Sequence, residues 1–340
     1  MIRVGIVGIS GYSGGETLKI LLRHSNVRVT YVSANNSKGP VDSLWPSLRG
    51  QTDLVCDSYD PKQACGQCEL VFLAVPHTVA MRIAPVLLQN NIRVIDLSAD
   101  YRLKSAADFQ AWYGQEHQDP EHLSQAVYGL PELYREKIRH ADLIANPGCY
   151  PTGALLGLIP LAATDSQNIQ AIIMDAKSGV SGAGKKMTAG LMFAQVNENF
   201  RAYKVLQHQH TPEIEQILSQ VAGQHTSVSF VPHLLPVSRG ILTTLYLRCS
   251  TSPKPDQLHE LYTRFYKKEP FVRVLPLGQQ PELKDVQHTN FCDIGLAVDE
   301  KESLVVITTV IDNLVKGAAG QAVQNMNIMY AFPENQGLRP

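Results

Sequence analysis

The sequence predicts an α/β protein, an N-terminal Rossmann-type parallel sheet joined to a separate α+β domain. Three observations predict it. Short apolar runs alternate with helix-like stretches through the first 165 residues. Glycine, proline and small polar residues stand at the C-terminal ends of those runs, where doubly wound sheets bind ligands. From residue 169 onward β-branched strands dominate and helical patterns become sparse.

The elements follow in order. Ile2–Val7 is a buried strand, and 16–22 the helix after it. Residues 27–32 alternate as a second strand. Residues 70–75 form a third, followed by a helix over 79–88. A strand at 93–97 ends in Ser98-Ala99-Asp100, and a short one, Leu143–Ala145, runs into a cysteine-bearing turn and a helix over 153–161. Beyond it, strands are predicted at 169–176, 228–231, Ile241–Cys249, 294–298 and Leu304–Ile311, with helices near 212–221 and 256–266. The β-branched content and the scarcity of helical patterns argue for an antiparallel or mixed sheet with helices on one face. The last helix, 315–329, is rich in small residues (Gly317, Ala318, Ala319, Gly320, Ala322) that allow close packing, which sends it back to the first domain.

A chain of 340 residues favours two domains, and a formal net charge of −1 with 44% apolar residues describes an ordinary globular protein. There is no basic excess for nucleic acid, and no apolar run is long enough for a membrane span. The N-terminus enters a strand directly without a signal-peptide pattern, so the cytoplasm is the expected compartment. The six cysteines are too sparse and irregular for a disulfide framework. Cys65-Gly66-Gln67-Cys68 lacks a second metal-ligand pair and a helix-initiating context, and no metal is expected.

Several groups of residues carry chemistry. Strand, then Gly8-x-x-Gly11-x-x-Gly14, then helix is the context of a dinucleotide-binding turn, with Ser10, Tyr12 and Ser13 lining the loop. The second strand ends in Ser33-Ala34-Asn35-Asn36-Ser37-Lys38, hydroxyls, amides and a cation with no carboxylate. That set suits a 2′-phosphate, so NADP(H) is the expected cofactor, with Ser33, Asn35, Ser37 and Lys38 as its contacts. Cys149, in Asn146-Pro147-Gly148-Cys149-Tyr150-Pro151-Thr152, stands at a predicted helix N-terminus, where the dipole favours the reactive thiolate. His208 and His210 precede a helix capped by Thr211-Pro212, and either can serve as the proton shuttle a thiolate needs. Ser178, Gly179 and Gly182 belong to a second glycine loop, which fails the P-loop spacing but can line the cofactor, with Lys185 supplying charge. Arg102 follows a strand end and is placed to clamp an anionic substrate group.

Taken together, seven motifs in order resemble one family. They are residues 8–16, 96–102, Tyr128-Gly-Leu-Pro-Glu132, 146–152, 178–184, 208–213 and Arg239-Gly-Ile-Leu242. The chain resembles the N-acetyl-γ-glutamyl-phosphate reductases, of the aspartate-semialdehyde-dehydrogenase-like superfamily, over nearly its whole length. The resemblance implies an NADP-binding domain of residues 1–148 and 314–340, completed by the C-terminal helix, and a catalytic, dimerising α+β domain of 149–313. It implies NADPH-dependent reduction of an acyl phosphate through a Cys149 thioester, in arginine biosynthesis, with His210 as acid/base and His208 as the competing choice. Asn313 matches a position near the nicotinamide. Pro76 and His77 join the cofactor set, and Asn146, Arg239, His208, Arg102 and Lys185 the substrate set. A homodimer or homotetramer is expected. Rival readings are an aminoadipyl- or aspartyl-phosphate reductase, a cysteine hydrolase, and a non-catalytic NADP-binding sensor.

Overall fold

In the computed structural model, residues 1–35 and 37–338 are described; Asn36 and residues 339–340 lie outside the described residues. The chain divides into two compact units, Met1–Gly148 with Ala318–Pro340, and Cys149–Gly317.

The first unit holds strands β1 (Ile2–Val7), β2 (Val27–Ser33), β3 (Gly39–Pro40), β4 (Val55–Cys56), β5 (Leu70–Leu73), β6 (Arg93–Asp96), β7 (Val127–Tyr128) and β8 (Leu143–Ala145). Six of them form one sheet in the order β2-β1-β5-β6-β8-β7, every pairing parallel, while β3 and β4 pair separately. Strand order reverses beside β1, so its C-terminal end is the topological switch point, where such sheets take ligands. Apolar side chains such as Val4, Ile6, Leu70, Phe72, Val94 and Ile144 are wholly buried, which is why these strands read as continuous hydrophobic runs. The helix Gly320–Met329 belongs to this unit, as its small residues imply. Asn325 Nδ2 donates to Gly129 O (2.9 Å) and Asn146 Oδ1 (3.1 Å), and Asn327 Oδ1 lies 3.0 Å from His24 Nε2.

Several stretches carry elements that the sequence patterns do not predict, and two of them matter here. Residues 100–142 contribute β7 and the helices Ala106–Tyr113, Pro120–Leu123 and Pro131–Arg139. The Cys65/Cys68 stretch does have a helix start, which corrects the expectation above. Asp60 Oδ1 accepts from Lys62 N (2.8 Å) and Gln63 N (3.3 Å), capping the helix Pro61–Gln67. Burial raises both thiols, Cys68 to about 11, which makes them poor nucleophiles.

The second unit is a seven-stranded mixed sheet of β9 (Ile169–Gly179), β10 (Arg201–Ala202), β11 (Ser229–Leu235), β12 (Ile241–Cys249), β13 (Val272–Val274), β14 (Cys292–Asp299) and β15 (Leu304–Ile311). Its order is β10-β11-β9-β12-β15-β14-β13. Buried and half-buried residues alternate along β12. Its inner face carries Ile241, Thr243, Leu245 and Leu247 under the helix Cys149–Asp165.

That helix is buried throughout 150–162, and two glycines let it sit close to the sheet. A Cβ on Gly157 would lie 2.5 Å from Leu245 Cδ1 and 3.0 Å from Thr309 Cγ2. Pro160 cannot donate to the carbonyl four residues earlier, Leu156. The buried Tyr266 hydroxyl makes that bond instead, and Tyr262 Oη donates to Gly157 O at 2.6 Å. Tyr266→Phe is therefore expected to cost about 1–3 kcal/mol in urea unfolding, the usual penalty for a buried acceptor left bare. Adding Pro160→Ala restores an N–H at that carbonyl and should recover part of the loss.

Candidate active site

The glycine turn of the first unit is shaped by close backbone approach. Gly8 has φ +99°, and a Cβ there would sit 2.1 Å from the Ala74 carbonyl oxygen. A Cβ on Gly14 would sit 2.3 Å from Gly8 O, and one on Gly15 2.4 Å from the Trp45 ring. Gly8 N and Ile9 N donate to Ser33 O (2.7 and 3.1 Å), which ties the turn to the end of β2. The helix Tyr12–Leu21 begins at Gly11 with no side-chain cap and no acid in its first turn. Its opening N–H groups are left to solvent or to an anion, with Ser10, Tyr12 and Ser13 half-buried around them.

At the end of β2, Asn35 is exposed, Ser37 half-buried and Lys38 exposed. The sequence suggested that no carboxylate stands here, but folding brings one in. Asp57, just after β4, bridges to Ser33, and Lys38 Nζ lies 2.7 Å from its Oδ1. The cation is therefore paired, with both side chains more than 60% exposed (66% and 71%), an arrangement a phosphate can displace at little cost. Two further polar groups point to a bound partner. Ser33 Oγ and both amide atoms of Gln321 are buried without a hydrogen-bond partner. Gln321 lies one helical turn before Asn325, and the sequence alone gave no reason to single it out. Buried polar atoms in that state cost stability unless a ligand or water completes them, so the residues present fit a dinucleotide.

Pro76 and His77 are exposed past the end of β5, and His77 Nδ1 accepts from Ala99 N at 3.1 Å. The residues Asp96–Arg102 form a buckle around the strand ends. Asp96 accepts from Ser98 N and Oγ (2.8 and 2.9 Å), and burial beside Asp100 pushes its carboxyl up to about 7. Asp100 accepts from Thr78 N (2.7 Å) and Met81 N (3.0 Å), holding Thr78 at φ +71°. Arg102 is 5% exposed and donates to Asn146 O and Leu97 O, both at 2.8 Å. A buried guanidinium engaged with these main-chain carbonyls braces the ends of β6 and β8. Asn146 is tied into the same unit. It is wholly buried, its N donates to Asp96 O, its Nδ2 to Ala318 O, and its Oδ1 accepts from Asn325.

In the second unit Cys149 is the first residue of the helix Cys149–Asp165, half-buried at the positive end of the dipole. Its neighbour Tyr150 is buried in a ring cluster. The Tyr150 ring centroid is 5.3 Å from His208, 6.0 Å from His210 and 5.1 Å from Phe230, and the two histidine rings are 4.7 Å apart. Tyr150 Oη is 3.0 Å from Tyr203 Oη. Burial raises both phenols, Tyr203 to about 12 with the Cys149 charge adding to it.

The two histidines differ. His208 is buried, and its Nδ1 accepts from His210 N at 3.1 Å, so its ring proton sits on Nε2. Burial, then the Lys204 charge, pull its pKa down to about 4. His210 is half-buried and, in place of the expected Thr211, occupies the N-cap of the helix Thr211–Ala222 without a side-chain cap bond. A neutral His208 stabilises the fold fully above the unfolded pKa of 6.5, and this is lost as pH falls through about 4. Wild type is thus expected to lose on the order of 2 kcal/mol more than His208→Gln in urea unfolding between pH 7 and pH 5. Parallel losses would rule that out.

The second glycine loop is knitted together by Asn313. Its Oδ1 accepts from Gly240 N (2.8 Å) and its Nδ2 donates to Ser181 Oγ (3.0 Å). Ser178 is buried, with Oγ on Gly179 O at 3.0 Å. Gly179 has no room for a side chain, since a Cβ would lie 2.9 Å from Arg239 N. Gly182 and Lys185 are exposed. Arg239 Nη1 meets the buried Asp312 carboxylate at 3.2 Å, so its charge is compensated inside the unit. Among the described residues no cluster of three or more His, Cys, Asp or Glu is placed to hold a metal. No helix among them is long and apolar enough to cross a membrane.

Comparison with known proteins gives a consistent picture. Residues 3–141 match the family "Semialdehyde dehydrogenase, NAD binding domain", and residues 149–313 match "Semialdehyde dehydrogenase, dimerisation domain". The N-acetyl-gamma-glutamyl-phosphate reductase of Desulfotalea psychrophila is 49% identical over 99% of this chain and 98% of its own. That of Symbiobacterium thermophilum is 47% identical, over 99% and 97%. Among solved structures, aspartate semialdehyde dehydrogenase II of Vibrio cholerae, complexed with ASA, superposes with TM-score 0.73 at 17% identity, over 97% of this chain and 98% of that one. Aspartate semialdehyde dehydrogenase of Candida albicans, with NADP, gives 0.73 at 16%, over 98% and 99%.

Proposed function

The chain belongs to the N-acetyl-γ-glutamyl-phosphate reductase family of semialdehyde dehydrogenases, and on that premise we propose that Cys149 is its nucleophile and His210 its acid/base. The enzyme reduces N-acetyl-L-glutamyl 5-phosphate to N-acetyl-L-glutamate 5-semialdehyde and phosphate with NADPH, a step of arginine biosynthesis. The observation that carries the site assignment is Cys149 heading a buried helix whose next residue, Tyr150, packs on the two histidines.

The chemistry follows from these groups. His210 takes the Sγ proton, and the thiolate attacks the acyl carbon. The carbonyl oxygen gathers negative charge near the helix N-terminus, and inorganic phosphate leaves a Cys149 thioester. Bound NADPH supplies the hydride that reduces this thioester. As the resulting hemithioacetal collapses to the aldehyde, the thiolate departs and is again held by the helix dipole and His210. His208, neutral and bonded to the His210 main chain, orients that residue. Gly8, Gly11 and Gly14 admit the pyrophosphate, Ser33, Asn35, Ser37 and Lys38 the 2′-phosphate end, and Gln321 an amide-like group.

The second unit matches a dimerisation domain, and a homodimer or homotetramer is the assembly proposed. The outer face of its sheet leaves Leu242, Thr244 and Tyr246 half-exposed and Ile173 48% exposed, an apolar surface suited to a second copy. The cytoplasm is the proposed compartment.

The test is the reverse assay, N-acetylglutamate semialdehyde with NADP and phosphate, followed by NADPH absorbance. Phosphate-dependent NADPH formation supports the reading. Activity only with aspartate or aminoadipate semialdehyde would move the substrate and keep the mechanism, and hydrolysis without nucleotide would replace both.

A further inference from the structure

Between β15 and the helix Gly320–Met329 the chain makes a π-turn, Val315–Ala319. Its wide hydrogen bond runs from Gly317 N to Asp312 O (2.9 Å), five residues back. Such turns are rare and concentrate at functional sites. Here the bulge presses the Gly317 backbone against the nucleophile. A Cβ on Gly317 would stand 2.8 Å from Cys149 Cβ, 3.2 Å from Cys149 Cα and 3.3 Å from Ile311 Cδ1. The atoms it would strike belong to the backbone and root of Cys149 rather than to a side-chain tip that can swing away.

One carboxylate anchors the turn. Asp312 is wholly buried, and its Oδ1 accepts from Leu314 N (2.8 Å) and Val315 N (3.1 Å). Its Oδ2 accepts from His288 N (2.7 Å) and pairs with Arg239 Nη1 (3.2 Å). The same Nη1 lies 3.3 Å from His288 Nδ1. Both oxygens are thus fixed from two sides, and the segment before Gly317 is held rigidly.

We propose that Gly317 and the Arg239–Asp312 pair are positioning residues that set the place and reactivity of the Cys149 thiol. The proposal rests on Cys149 being the nucleophile. Gly317 supplies the only side chain small enough to leave Cys149 undisplaced at the helix start. Arg239 then acts through the turn as a brace, with no need to touch the substrate.

The experiment compares Gly317→Ala, Asp312→Asn and wild type, with Cys149→Ser as background. Four readouts are taken: iodoacetamide alkylation of Cys149 across pH, kcat, KM for the acyl phosphate, and NADPH binding. For Gly317→Ala, a roughly tenfold or larger fall in both alkylation rate and kcat is expected, with NADPH affinity unchanged and the alkylation profile shifted to higher pH. Asp312→Asn is expected to do the same more weakly. Wild-type alkylation by folded Gly317→Ala overturns the proposal, even if its stability has dropped. If Gly317→Ala is insoluble, Asp312→Asn decides, since slowed alkylation supports the brace and an unchanged rate removes it. Turnover that survives in Cys149→Ser would overturn the catalytic reading itself, a failure visible in the background control alone.

Discussion

Cys149→Ser is expected to lower turnover by about 10³-fold or more while leaving NADPH binding within about twofold of wild type. A serine hydroxyl at the same helix start remains protonated at neutral pH, and the helix dipole does too little to ionise it. In the proposed mechanism the thiol attacks the substrate, and the glycine turn proposed for the cofactor belongs to the other unit, so the substitution is expected to remove chemistry without removing the nucleotide. Fluorescence titration with NADPH and steady-state assays on the same preparation separate the two effects. Near-normal kcat would sink the covalent route, whereas lost NADPH binding would reveal a folding defect in place of a chemical one.

His210→Asn is the second large effect, a fall of about 10²-fold in kcat, the usual scale for removing a general acid–base. Asparagine suits an N-cap position, and His210 makes no side-chain cap bond there to lose, so the helix Thr211–Ala222 should survive and the thermal midpoint should scarcely move. The contrast with His208→Asn is the informative part. His208 holds its neighbour's main chain through Nδ1 and is neutral at physiological pH, so its loss should reduce kcat less and cost more stability. The reverse ordering of the two variants would exchange their roles.

Much of this was legible in the residues because the signals were local. Strand β1, the turn at Gly8 and the helix after it are contiguous, and Gly8 and Gly14 occupy positions where any side chain strikes main-chain atoms. Cys149 at a helix start is likewise a local pattern. What the sequence hid was contact at long range. The bracing bonds of Arg102 to Asn146 O and Leu97 O leave no trace in the sequence, because both acceptors are main-chain atoms and one is remote. Asp57 lies two dozen residues from β2, yet strand pairing brings its carboxylate to Lys38. Gln321 was invisible for a different reason, since burial without a partner is a property of the folded environment alone. The helix around Cys65 is signalled by Asp60-Pro61, a cap that lies upstream of the Cys-x-x-Cys spacing.

Placing the proposed nucleophile on the first residue of a core helix has a consequence for how the enzyme fails. Loops that carry active groups can melt early, so activity disappears below the unfolding temperature. Here residues 150–162 are buried between sheet and helices, with the Pro160 gap closed by tyrosine hydroxyls. Cys149 is therefore expected to loosen together with the unit that buries its helix. Heat inactivation and cooperative melting of this half of the protein should coincide, and below that temperature each surviving molecule should keep full catalytic power.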